Sequence, residues 1–108
     1  MEPLLEALKA LHDENRLKLV SLMMQKDCCV GALAQHLGIS KGAVSQHLQI
    51  LRKAGFIVGE KRGYYTHYRV NREKLQETSR ALLNLAEVMP AEPCSCSHDD
   101  GEHHCCNA

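Results

Sequence analysis

The 108-residue chain lacks tryptophan and has a single phenylalanine, so a hydrophobic core must be built mainly from aliphatic side chains. No apolar run approaches the roughly 18 residues that a membrane span needs, which excludes a membrane protein. The first residues, Met1 to Pro3, do not follow the basic-then-apolar plan of a signal peptide, and this predicts a cytoplasmic protein. The length fits one small domain and excludes a multi-domain enzyme.

The chain also lacks net charge, because 13 Lys and Arg balance 13 Asp and Glu. The balance is uneven along the sequence. Residues 41–74 hold eight basic and two acidic residues, whereas residues 90–108 hold four acidic residues and no Lys or Arg. A concentrated basic segment is typical of a nucleic-acid-binding surface, so the zero average does not argue against a DNA partner.

Recognisable catalytic patterns are missing too. The sequence shows no phosphate-binding loop and no set of nucleophile, base and orienting residue. Cys94 and Cys96 are separated by one residue, so they do not form the Cys-x-x-Cys pair of redox enzymes. We therefore predict that the protein is not an enzyme.

The apolar pattern predicts a mainly helical chain with one small β-hairpin. A 3.6-residue period runs through the first half and returns after residue 71, and Gly38 stands where a helix would end. Capping residues mark the predicted starts of the second, fourth and last helices, namely Asp13, Ser40 and Asn71. The fourth helix is predicted to stop at Ala54-Gly55 and the last one at about Met89.

Between these helices the period changes to 2. Phe56 and Val58 alternate with Ile57 and Gly59, and after Gly63 the residues Tyr64 to Val70 alternate between two faces. Arg62-Gly63 is the predicted turn between the two strands, and basic residues lie near this tip.

Two helices joined by a short Gly-containing turn, the second with a polar and basic face, are the helix-turn-helix plan, and a following hairpin is the wing of the winged variant. Polar side chains of the second helix can reach base edges, and cations on the wing can neutralise phosphates. We predict the DNA-binding residues to be Ser40, Lys41, Ser45, Gln46, Gln49, Lys61, Arg62 and Arg69.

These residues resemble a known family. The stretch from Leu33 to Val70, sharpest at Ser45-Gln46-His47-Leu48 and at the wing from Gly63 to Tyr68, is similar to the ArsR/SmtB family of bacterial winged-helix repressors. The resemblance covers residues 4–89. It implies a homodimer built from the first and last helices, a two-fold symmetric DNA operator, and repression relieved by an inducer ion.

The cysteines of the body depart from the pattern of that family. The family often places a Cys-Val-Cys ion-binding step just before the third helix, and here Cys29-Val30 is followed by Gly31, with Cys28 on the other side. Residues 72–89 contain neither Asp nor His, so the zinc site that the family builds on its last helix is not expected.

The tail after Pro90 has no Leu, Ile, Val, Phe, Met, Trp or Tyr, and we predict that it is mobile without a ligand. We divide the chain into a winged helix-turn-helix domain, residues 1–89, and a Cys/His-rich tail, residues 90–108. Thiolates select soft ions, and imidazoles extend the choice to zinc. The predicted metal ligands are Cys94, Cys96, Cys105, Cys106, Cys28, Cys29, His98, His103 and His104.

Together these features predict a dimeric repressor that leaves operator DNA when its thiolates capture a metal or metalloid ion. Arsenite is the first choice because paired thiols dominate the ligand set, and cadmium or zinc follows; no organic cofactor is expected. One alternative is a thiol-redox or persulfide-sensing repressor. Another is a metal-storage or chaperone protein, which would show no sequence-specific DNA binding and no steep loss of binding with salt.

Overall fold

The computed structural model describes residues 1–26 and 28–89, which form five helices and one two-stranded sheet. The predicted mainly helical fold with a small hairpin is confirmed. The predicted tail, residues 90–108, lies outside the described residues. In chain order the elements are α1 (Glu2–Leu11), α2 (Glu14–Gln25), α3 (Val30–Leu37), α4 (Lys41–Lys53), β1 (Ile57–Arg62), β2 (Tyr65–Val70) and α5 (Arg72–Glu87).

The three predicted N-caps are confirmed by their hydrogen bonds. The Asp13 carboxylate accepts two backbone N–H groups at 2.8 and 3.1 Å, the Ser40 hydroxyl accepts one at 3.1 Å, and the Asn71 amide oxygen accepts one at 3.3 Å. These bonds satisfy N–H groups that have no partner inside their own helix. Gly38 ends α3 with φ +68°, a left-handed conformation that favours glycine.

The core lies between α2, α3, α4 and the base of the hairpin. Its largest fully buried side chains are aliphatic except for the one phenylalanine: Leu19, Leu33, Val44, Leu48, Leu51, Phe56 and Ile57. The α2 helix contacts α1, α3, α4 and β2, so it lies in the middle of the fold. This core fixes which face of α4 is left for solvent.

One arginine ties α1, α2 and α4 together. The Arg16 Nε donates to the Ala10 carbonyl oxygen at 2.6 Å, and its Nη1 lies 3.4 Å from Nδ1 of His47 on α4. The guanidinium also lies 3.8 Å from the Asp13 carboxylate. His47 therefore has a structural contact, although it lies inside the helix that carries the predicted DNA-reading residues.

The hairpin pairs β1 with β2 in antiparallel register from Ile57 opposite Val70 to Arg62 opposite Tyr65. Its two turn residues are thus 63 and 64, and the prediction of Arg62-Gly63 was wrong by one residue. The reason is conformational: Gly63 has φ +63°, and a two-residue turn with glycine first is one of the favoured hairpin turns. Phe56 precedes the strand and is buried.

The last helix, α5, ends at Glu87, two residues before the predicted end. Val88 is extended, with ψ 125°, and the residue before a proline is disfavoured in helices, so Met89 also leaves the helix. Among the other described helices and strands α5 lies close to α1, its Leu75 packs against the core, and Leu82, Leu83 and Leu85 are exposed. No helix in the described ranges is both long and apolar enough to span a bilayer.

Candidate nucleic-acid interface and thiol cavity

The outer face of α4 carries the polar side chains predicted to read DNA. Val44, Leu48 and Leu51 are buried on the core side of the helix. Ser45, Gln46 and Gln49 lie away from this apolar stripe and are exposed, and Lys41, in the first turn of the helix, is exposed as well. The α3 helix, the left-handed Gly38 and α4 form the helix-turn-helix, in which the second helix enters the major groove. The exposed amide, hydroxyl and ammonium groups of α4 are of the kinds that bind base edges and phosphates.

Ser40 has a different role from its neighbours on α4. Its hydroxyl oxygen accepts the Ala43 N–H and so caps the helix. The hydroxyl proton remains able to donate to an external acceptor such as a phosphate oxygen. Ser40 therefore caps α4, and its contact with DNA stays a prediction.

Two basic residues near the end of α4 were not among the predicted DNA contacts. Arg52 and Lys53 are exposed in its last turn. Arg52 follows Gln49 by three residues and Ser45 by seven, a spacing that puts all three on one side of a helix. This spacing was the signal in the sequence that could have added Arg52 to the interface.

Of the three predicted cations on the hairpin, two pair with a carboxylate of the described residues and one does not. Glu60 lies between two of them: Nε of Arg69 donates to one carboxylate oxygen at 2.9 Å, and Nη2 of Arg62 lies 3.4 Å from the other. The hydrogen bond from Arg69, followed by that from Arg62, lowers the pKa of the Glu60 carboxyl. Lys61 forms no ion pair with any residue in the described ranges.

Sequence reasoning missed Glu60, because its effect depends on strand register. Glu60 is opposite His67, which puts it diagonal to Arg69 on the neighbouring strand. Diagonal pairs are within reach of long side chains. Two of the three predicted wing cations are therefore partly neutralised by Glu60.

Cys28 and Cys29 line a cavity of about 550 Å³ between the start of α3 and strand β2. Cys28 is half-buried against the core and Cys29 is exposed, and both are free thiols. We call this space the thiol cavity; its described lining is Cys28, Cys29, Val30, Gly31, Leu33, Lys41, Tyr65, Thr66, His67 and Tyr68.

The predicted metal ligands are only partly covered by the described residues. Cys28 and Cys29 lie together at the thiol cavity, but no three His, Cys, Asp or Glu side chains within the described ranges come close enough to hold a metal ion. The seven tail ligands, Cys94, Cys96, His98, His103, His104, Cys105 and Cys106, lie outside the described residues, so their role stays a prediction.

Comparison with known proteins gives a consistent family match. The profile described as "Bacterial regulatory protein, arsR family" matches residues 13–58. The chain is 36% identical to the transcriptional repressor SdpR of Bacillus subtilis over 71% of this chain and 86% of SdpR. It is 35% identical to the arsenical resistance operon repressor of Escherichia coli, over 62% and 58% of the two chains. The cadmium resistance regulatory protein CadC of Listeria innocua is 32% identical, over 77% and 71%.

Known structures support the same fold. An ArsR-like transcriptional regulator from Rhodococcus sp. RHA1 matches with a TM-score of 0.70 and 28% identity, covering 79% of this chain and 80% of that chain. A domain from Mycobacterium bovis, described as a homodimeric winged helix-turn-helix DNA-binding domain, matches with a TM-score of 0.64 over 86% and 87% of the chains. At 21% identity the second match bears on the fold alone.

Proposed function

The chain belongs to the ArsR family of bacterial regulatory proteins, and from this premise we propose that it is a dimeric repressor released from operator DNA by a thiophilic metal or metalloid ion. Its relatives are transcriptional regulators, so the protein is a regulator and not an enzyme. None of the relatives reported above is named as a metal-storage protein, and the metal-storage alternative has no support among them.

The DNA-binding half of the proposal depends on one observation: α4 buries an apolar stripe and exposes a continuous polar and basic face. Gln46 and Gln49 can form paired hydrogen bonds with adenine, and Ser45 can reach several bases. Lys41 and Lys61 suit phosphate oxygens. Sequence would then be read by α4, and the hairpin would set the orientation on the duplex.

The dimer is supported by apolar side chains that are exposed among the described residues of α1 and α5. Leu82, Leu83 and Leu85 on α5 are 43%, 55% and 54% exposed, and Leu5 on α1 is 47% exposed. Soluble monomers rarely expose such a group of large apolar side chains. A second copy that covers α1 and α5 would also present two α4 helices, as half-sites about 34 to 36 Å apart require.

The inducer half of the proposal depends on the thiols. Cys28 and Cys29 can supply two sulfur ligands at the thiol cavity, whereas a tetrahedral zinc site needs four ligands. We propose that the remaining ligands come from the tail, Cys94, Cys96, Cys105 and Cys106, with His98, His103 and His104 as further donors. Because thiols must lose their protons to bind as thiolates, ion capture would release protons and order the tail.

Arsenite is the proposed first inducer, followed by cadmium or zinc. Soft thiolate ligands favour these ions over hard ones such as magnesium. One relative is named for arsenical resistance and another for cadmium resistance, but SdpR is named for no ion. A repressor that responds to thiol oxidation instead remains the alternative, since Cys29 is an exposed free thiol.

Release from DNA is the direct test. Duplexes selected by the full chain from a random-sequence pool would be used in gel shifts with arsenite, cadmium, zinc and, as a hard-ion control, magnesium. The same titrations would be made with the Cys28→Ser/Cys29→Ser variant and with a variant in which all four tail cysteines are serine.

We expect a soft ion to weaken DNA binding by about 5- to 150-fold, the usual range of allosteric coupling. Replacement of the tail cysteines should abolish this response. If no ion releases DNA under anaerobic conditions and an oxidant does, the redox alternative replaces the ion proposal. If the tail variant responds unchanged, the tail has no part in ion capture.

A further inference from the structure

The thiol cavity brings Cys29 close to the first residue of α4. A Cβ atom at Gly31 would lie 3.9 Å from Sγ of Cys29 and also 3.9 Å from Nζ of Lys41. The sulfur and the ammonium nitrogen are therefore separated by at most twice that distance, without any side chain of residue 31 between them. Lys41 forms no ion pair with a described residue, and it is exposed in the first turn of α4.

The lining of the thiol cavity favours an anion. Its described residues include Lys41, whose ammonium can donate hydrogen bonds to a carboxylate or sulfonate, and no Asp or Glu. Thr66 and Tyr68, which share one face of β2, bring hydroxyl groups that can also donate, whereas Tyr65 belongs to the other face of the strand. The volume of about 550 Å³ is within the range of small-molecule sites.

We propose that Cys29 is a modification site for small anionic thiols, and that the negative charge of the bound group pairs with Lys41 and withdraws it from DNA. This inference depends on the DNA-binding half of the proposed function, in which Lys41 contacts phosphate. It requires neither a metal ion nor the tail, and it acts within one protomer.

The covalent step is a thiol–disulfide exchange. The Cys29 thiol loses its proton to solvent, and the thiolate attacks one sulfur of a small anionic disulfide. A new disulfide bond forms to Cys29 while the bond within the reagent breaks, and the second half of the reagent leaves as a thiolate. The new bond uses an electron pair of the Cys29 thiolate, and the pair of the broken bond leaves with the second half of the reagent. The Cys29 sulfur is thus oxidised and the leaving sulfur reduced by the same amount, and a reducing thiol reverses the step.

The experiment varies the charge of the group attached to Cys29 and measures DNA binding. A full-length variant would keep Cys29 alone, with Cys28→Ala and serine at the four tail positions. It would be labelled with an anionic sulfonatoethyl or a cationic trimethylammonioethyl methanethiosulfonate, which give mixed disulfides of similar size. DNA affinity would be measured by fluorescence anisotropy on a duplex selected by the unlabelled protein, over a range of salt concentrations.

We expect the anionic label to weaken DNA binding at least about fivefold relative to the cationic label. It should also reduce the dependence of log affinity on log salt by about one unit per protomer, as the loss of one phosphate contact does. Lys41→Met should remove the difference between the labels. Lys53→Met is the matched control, because Lys53 is exposed at the other end of α4 and borders a different cavity; there the difference should persist.

Equal effects of both labels would overturn the inference and point to steric blocking. A charge difference that survives Lys41→Met would also overturn it. If Cys28→Ala unfolds the chain by circular dichroism, Cys28→Ser gives the same test. If the unlabelled protein selects no DNA at all, the proposed function fails, and this outcome is distinct from a failure of the Cys29 inference.

Discussion

Among the charged side chains of the described residues, we expect replacement of Arg16 to lower the free energy of unfolding most. Its side chain is only 14% exposed, and its guanidinium bonds to the Ala10 carbonyl and to His47. Arg16→Met keeps the length of the apolar stem but removes these bonds, and should lower the free energy of unfolding by about 1 to 3 kcal/mol. Urea denaturation measures the change.

The control for Arg16 is Lys18→Met in the same helix. Lys18 makes an ion pair with Glu14 at 2.8 Å, but both side chains are largely exposed. Exposed pairs of this kind contribute little to stability. An Arg16→Met protein as stable as Lys18→Met would show that the link from α1 to α4 has no energetic weight.

Asp13 should make stability depend on acidic pH. The Arg16 N–H bond, together with the Asn15 N–H bond, lowers the pKa of its carboxyl below the ordinary value of 3.8. A depressed folded-state pKa contributes stability that is present above the unfolded-state value and lost as pH falls through the folded-state value. Thermal unfolding between pH 6 and pH 2 should therefore show a smaller acid loss in Asp13→Asn, which caps equally well but does not titrate.

The pH profile of Asp13→Asn is informative only if the variant is as well folded as the native chain near neutral pH. Melting temperatures at pH 7 give that comparison. If both proteins lose stability in parallel as pH falls, Asp13 does not carry the acid response.

The ends of the helices were predictable because their causes are local. Asp13, Ser40 and Asn71 cap the helices that follow them, and a cap needs only a hydrogen bond to the next turn. The turn of the hairpin was missed by one residue because pairing register, and not the local residues, decides which two residues form it.

The composition of the interface was less predictable than its position. The helical period identified the exposed face of α4 correctly, but the ion pairs of Glu60 arise from the strand opposite. The approach of Cys29 to Lys41 joins residues separated by a helix and a turn. The link between Arg16 and His47 spans 31 residues. No periodicity in the sequence encodes such contacts, which follow only from packing.

The hairpin should bind DNA more strongly when Glu60 is neutralised. Glu60→Gln would release Arg62 and Arg69 from a carboxylate and make both available to phosphates. We expect tighter binding, with the dependence of log affinity on log salt steeper by about one unit per protomer. Anisotropy titrations from 50 to 200 mM salt measure both quantities.

The matched control for the hairpin is Glu77→Gln, which removes the same charge from an exposed position on α5. It changes the net charge equally but leaves the hairpin intact. An equal gain in both variants would attribute the effect to total charge, and the pairing of Glu60 would then have no specific effect.

We expect α5 to form part of the dimer interface, and specific DNA binding to require the dimer. Leu85→Glu puts a charge among exposed leucines of this helix, and desolvating that charge in an interface is costly. We expect the variant to be monomeric in analytical ultracentrifugation and to lose most of its specific DNA binding. Gln76→Glu adds the same charge at an exposed position of α5 away from Leu85 and should remain dimeric. A Leu85→Glu dimer would exclude this face of α5 from the interface.

The uneven packing of α5 also bears on how much protein is folded. Leu75 reaches the core and Lys74 lies over the Phe56 ring, but the second half of the helix exposes Leu82, Leu83 and Leu85, so much of its stabilisation would come from the second copy. Folding and association would then share one equilibrium, and the melting temperature would rise with protein concentration by mass action. A cell that makes few copies would hold many of them as weakly structured single chains exposed to proteolysis. The amount of folded dimer, and with it the extent of repression, would thus rise steeply with the rate of synthesis even without an inducer.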